Sequence, residues 1–217
     1  MNTKCCFCEE YLRPLNSQYY IELGQEIDIK SRILLETKHW YAVPTLGCLT
    51  VGYVLLVCKQ HYQSLSNLNA TLYQEMLELK DLIEKRIHEK LGQKCVAFEH
   101  GSTSKYYCGA NSVDHVHLHV LPFSREIWPE IAIKYGLNDF SILTNYKDLF
   151  SLWANNIPKT YLLFQDLNRI IYYKPDTQGF PSQFFRKCLA PYFKAKKWDW
   201  KQELYKENFI KTIELFR

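Results

Sequence analysis

Three of the chain's seven histidines fall in Asp114-His115-Val116-His117-Leu118-His119-Val120-Leu121, one at every second residue. In an extended strand this period sets the three imidazoles on one face and Val116, Leu118 and Val120 on the other. One face is then chemical and the other is core. A lone histidine is most often structural, but each further ring on the same face brings a polar nitrogen that must find a partner. Two chemistries suit such a cluster. Imidazoles can ligate a metal, or a neutral imidazole can attack phosphorus while its neighbours orient it. Spacing alone does not choose between them. The preceding loop favours phosphoryl chemistry, because Gly109-Ala110-Asn111-Ser112 offers backbone N–H groups, an amide and a hydroxyl where a phosphate could lie.

The surrounding pattern predicts the elements that would hold such a strand. Arg32 to Leu35 and His39 to Val43 are short β-like runs separated by Glu36-Thr37-Lys38, which reads as a hairpin, and Val51 to Val57 is a third strand. From Leu68, the apolar residues Leu72, Met76, Leu79, Leu82, Ile83 and Ile87 recur at three- and four-residue steps up to Gly92, the pattern of an amphipathic helix. Cys95 to Phe98 reads as a strand, Gly101 to Ser112 as a loop, and His115 to Leu121 as a strand closed by Pro122. Beyond it lie a helix over Tyr146 to Trp153, β-like runs at Tyr161 to Phe164 and Ile170 to Tyr173, and helices near Ser182 to Tyr192 and Lys201 to Leu215. We read residues 1–123 as an α+β catalytic domain and residues 124–217 as a C-terminal extension packed on it.

His-Val-His-Leu-His-Val-Leu resembles the signature of the histidine triad (HIT) superfamily of nucleotide hydrolases and transferases. The resemblance runs upstream in order over about residues 3–123. Cys5-Cys6-Phe7-Cys8 is similar to the start of many members, Val57-Cys58-Lys59-Gln60-His61 to a strand ending in Pro-Lys-x-His, and Gly109 to Ser112 to the loop before the triad. It implies a HIT-like sheet of about five mainly antiparallel strands with the long helix packed across it, often in a two-fold dimer, with a mixed α/β extension here. It implies that His117 is a nucleophile forming a nucleotidyl-histidine, that His119 contacts the phosphoryl group, and that Ser112 approaches the leaving group, with Gly109 and Asn111 at the substrate. The attacking ring must be neutral with its far nitrogen held, a role that a backbone carbonyl plays in the family. Where many members carry Asn-x-Gly, this chain has Glu99-His100-Gly101. Glu99 is the candidate for that substrate-binding position, able to accept from a ribose hydroxyl or an amine, unless it and His100 only support the loop.

A single Cys-x-x-Cys supplies half of a tetrahedral site. In zinc-containing HIT proteins the other ligands correspond to His61 and His115, so the resemblance implies a closed structural zinc site of Cys5, Cys8, His61 and His115. In the extension, Ser182, Gln183 and Arg186 on one side of a helix start could bind a phosphate or a base edge. A similar Ser-Gln-Phe-Phe-Arg with a later Trp-Asp-Trp occurs in extended HIT-like proteins, which implies that this segment lines the active site.

Composition narrows the classes. The chain has 217 residues, 47% of them hydrophobic, enough for a sizeable core. No run reaches the roughly 18 apolar residues of a membrane helix and the N-terminus has no apolar signal, which points to a cytoplasmic protein. Eight cysteines scattered through a chain of this size read as reduced thiols or metal ligands. A net charge of +4 fits an anionic small-molecule substrate, and the interleaved Lys and Trp near Trp198 keep as the alternative a non-catalytic RNA- or nucleotide-binding module on the same scaffold, with nucleic acid the less favoured partner.

Overall fold

The site is carried by one antiparallel sheet of eight strands, in the order β1-β2-β3-β5-β4-β7-β8-β6, in a computed structural model that describes residues 5–103, 113, 115–177 and 180–217. The strands are β1 Leu35–Glu36, β2 Trp40–Pro44, β3 Val54–Cys58, β4 Lys94–Ser102, β5 His117–Phe123, β6 Ser141–Leu143, β7 Thr160–Gln165 and β8 Ile171–Pro175. The helices are α1 Cys6–Leu12, α2 Ala70–Leu91, α3 Trp128–Tyr135, α4 Tyr146–Asn155, α5 Phe184–Leu189 and α6 Lys206–Phe216.

Eight strands replace the expected five because the extension continues the sheet. Strand β7 pairs with β4 along six residues, Ala97 with Gln165 through to Ser102 with Thr160, and β8 and β6 follow. An open edge strand presents unpaired N–H and C=O groups, and β7 satisfies those of β4. The extension thereby covers the outer edge of β4. Strand β4 itself runs to Ser102, four residues past Phe98, because this pairing extends it.

Alternation along the strands divides two cores. Val54, Leu56, Cys95, Ala97, Val116, Leu118 and Val120 pack beneath α2 and α4. Leu55, Val57, Val96, Phe98 and Leu121 face the other way, toward α1, α3 and α5. Helix α2 starts where the Asn69 side chain accepts from the Leu72 N–H and ends at Gly92 in the left-handed region. Helices α1 and α3 and strand β6 have no counterpart in the sequence reading. No helix of the described residues is long and apolar enough to cross a membrane, and their seven cysteines are free.

Candidate active site and metal-ligating cluster

Strand β5 begins at His117, so His115 lies just ahead of it, its position fixed by the Val116 N–H bonding to the Tyr62 carbonyl. The register places His117 opposite Val57 and His119 between Leu55 and Phe98. His117 and His119 thus form the floor of a cavity of about 70 Å³. Its walls include Phe98 and His100 from β4, Phe7 and Glu10 from α1, and Phe185 and Arg186 from α5.

Hydrogen bonding fixes the tautomers. His117 Nδ1 is 2.7 Å from the His115 carbonyl oxygen, which can only accept, so Nδ1 carries the proton and Nε2 keeps its lone pair. Burial lowers the His117 pKa against this bond, holding the ring neutral. His115 is arranged the other way round: its Nε2–H donates to the Cys58 carbonyl at 2.7 Å, which leaves Nδ1 bare. His119 Nδ1 is 2.8 Å from the Tyr53 hydroxyl, and its ring stacks on Phe98 at 4.5 Å. Burial drives the His119 pKa well down, with further contributions from His117 and Arg186. Burial pushes Tyr53 up to about 12, so its hydroxyl keeps its proton.

The bare Nδ1 of His115 points at the cysteines. It lies 3.2 Å from Cys5 Sγ and 3.6 Å from Cys8 Sγ, while His61 Nδ1 is 3.5 Å from Cys8 Sγ. Bonds of about 2.3 Å to sulfur and 2.0–2.1 Å to nitrogen in a tetrahedron put ligand atoms about 3.5 Å apart. All four ligand atoms here lie within 4.8 Å of one another, and the ligand set Cys5, Cys8, His61 and His115 fits a zinc ion. Burial, and next Cys5, raise the Cys8 thiol to about 12, a penalty that a bound cation would reverse.

Not every expected site residue joins this cavity. Glu99 has the opposite parity to Phe98 and His100 and is buried on the α2 side of the sheet, where it receives the Tyr161 hydroxyl and, at 3.1 Å, the Leu65 N–H. Burial raises its carboxyl to about 8. The polar β4 residue on the histidine face is His100, whose two ring nitrogens are buried without hydrogen-bond partners among the described residues and whose pKa burial lowers to about 4. Continuing the alternation from Val96 through Phe98 would have found it. Ser182 does not line the cavity. Gln183 does, but its amide is engaged by Asp199 at 2.9 Å and by the Trp200 N–H at 3.4 Å. Arg186 is 3% exposed and lines the cavity beside Tyr53. Gly109, Asn111 and Ser112 lie outside the described residues. Sequence reasoning also missed Tyr53 and the buried Glu10–Arg32 pair, whose two bonds of 2.6 and 2.7 Å neutralise both charges at the cavity wall.

The HIT domain family model matches residues 26–126. Among solved structures the chain is similar to a HIT family protein from Bacillus subtilis, at 19% identity and TM-score 0.44 over 71% of this chain and 97% of that one. It is similar to a HIT family protein from Bacillus anthracis at 17% identity and TM-score 0.42, over 71% and 98%. A Zn-bound histidine triad family protein from Mycobacterium smegmatis aligns at 18% identity and TM-score 0.39, over 56% and 76%. No curated protein matches the chain. Residues 26–126 are thus a HIT domain, and the chain continues past that domain in a C-terminal extension.

Proposed function

We infer that this chain is a nucleotide hydrolase or nucleotidyltransferase that cleaves a phosphoanhydride, phosphoester or phosphoramidate bond through a nucleotidyl-His117 intermediate. The observation that carries this reading is the bond from His117 Nδ1–H to the His115 carbonyl, which keeps the opposite nitrogen unprotonated at the cavity. In the first half-reaction Nε2 forms a bond to phosphorus as the bond to the leaving group breaks, and the leaving group takes up a proton. In the second, water or another acceptor attacks the same phosphorus, His117 departs as a neutral ring, and the attacking group loses its proton.

The neighbours have separable tasks. With the Tyr53 hydroxyl donating to Nδ1, His119 presents its Nε2–H to a phosphoryl oxygen, where charge develops. Ser112, in the loop before the triad, is the proposed contact to the leaving group, and Gly109 and Asn111 are proposed substrate contacts. A zinc ion held by Cys5, Cys8, His61 and His115 would tie the N-terminus to the triad and supply no open position for catalysis. Through His115 it would brace the carbonyl that orients His117.

The test incubates wild type and His117→Ala with dinucleoside polyphosphates, nucleoside phosphoramidates and nucleotide-sugars. Products are followed by chromatography and the covalent adduct by mass spectrometry. Turnover and an adduct in wild type, both absent from His117→Ala with binding retained, are expected. Equal turnover by both proteins removes His117 from the chemistry.

A further inference from the structure

Arg186 is the buried cation in the histidine cavity that no acid among the described residues answers. Among the described residues it has no carboxylate within ion-pair distance, whereas Arg32, the other arginine on the wall, is matched by Glu10. The histidines are held neutral, so the wall carries an unbalanced positive charge. An isolated charge taken out of water is destabilising unless something compensates it.

The guanidinium is also oriented. Its Nε donates to the Trp198 carbonyl at 3.1 Å and its Nη2 to the Gly47 carbonyl at 2.6 Å. Gly47 has φ +65° and must be glycine for this approach, since a Cβ there would stand 2.5 Å from Nη2. The Trp198-Asp199-Trp200 segment braces the same group, with Asp199 holding Gln183 one turn earlier on the helix. Two of the three nitrogens are thereby fixed, and the third, Nη1, is buried with no hydrogen-bond partner among the described residues. Structural bracing accounts for Nε and Nη2. It does not account for Nη1.

The charge sits over Tyr53, 5.5 Å from its ring centroid, and bears on His119. His119 is two residues along the strand from His117, with ring centroids 4.9 Å apart. An anion bound by Arg186 would then sit on the His119 side of the phosphorus that His117 would attack. We propose that Arg186 binds a second phosphoryl group, adjacent to the reacting one, so that the C-terminal extension completes the site and selects phosphoanhydride substrates. This rests on the reading of His117 as the attacking residue. The Trp198-Asp199-Trp200 stretch, which holds Gln183 and Arg186 in place, is then part of a phosphate clamp.

Inorganic phosphate and inorganic pyrophosphate are titrated by calorimetry into the full chain as wild type, His117→Ala and Arg186→Met. Wild type and His117→Ala should prefer pyrophosphate by about ten-fold or more, the worth of a charge-assisted contact, and Arg186→Met should lose the preference while its phosphate affinity stays within a few-fold. A preference that survives in Arg186→Met, or an equal loss for both anions, overturns the proposal. If Arg186→Met does not fold, the crystal structure of wild type with pyrophosphate decides: an anion oxygen at Nη1 supports the clamp, and pyrophosphate seated with Nη1 unengaged overturns it. Absence of a nucleotidyl adduct while the pyrophosphate preference persists would instead count against the nucleophile reading.

Discussion

Glu99→Gln should stabilise the protein by an amount that grows with pH. The wild-type carboxyl is fully buried beneath the sheet, and burial raises its pKa from 4.5 to about 8. In the unfolded chain it ionises above about 4.3, near the ordinary glutamate value. Between these two values the folded state holds a proton that the unfolded state has released, so stability falls as pH rises through the window and levels off above the folded pKa. At about 1.4 kcal/mol per pH unit, this group costs about 4 kcal/mol at pH 7 and about 1 kcal/mol at pH 5. Glutamine is neutral in both states, accepts from the Leu65 N–H through its carbonyl oxygen, and turns its amide toward Tyr161. Urea unfolding of both proteins from pH 5 to pH 8 measures the difference. The variant should gain about 2–3 kcal/mol over wild type between pH 5 and pH 7, with unchanged nucleotide affinity because Glu99 does not face the cavity. Parallel stability profiles would refute the buried neutral acid, and a large loss of nucleotide affinity would put Glu99 back at the substrate.

Three further outcomes follow from the geometry. Cys8→Ser should release about one equivalent of zinc, read by elemental analysis of the purified protein, and lower the melting temperature, because a structural metal's binding energy is folding energy. Tyr53→Phe removes the hydroxyl at His119 Nδ1; kcat should fall about ten-fold or more with KM nearly unchanged, as for a donor that strengthens in the transition state. Asn69→Ala removes the cap accepting from the Leu72 N–H and should cost about 1 kcal/mol in urea unfolding without altering kcat.

What the sequence made legible is what repeats locally. The period-two histidines and the three- and four-residue steps of α2 each encode their conformation within a few residues, and the strand face they assign is the face that His117 and His119 occupy. The departures come from pairings between distant segments. Nothing near Cys95 says that β4 will run to Ser102, because the groups that extend it belong to β7, some sixty residues later. The placement of Glu99 turns on the same strand: successive residues of β4 face opposite sides of the sheet, so Glu99 lies on the α2 side while His100 lines the cavity. Arg186 was singled out for its charge, yet its significance comes from Gly47 and Trp198, which use two of its nitrogens and leave the third unpartnered. Charge can be read along a chain, but whether that charge is already balanced depends on which distant groups the fold brings to it, and here, among the described residues, the fold brings two carbonyl oxygens and no carboxylate.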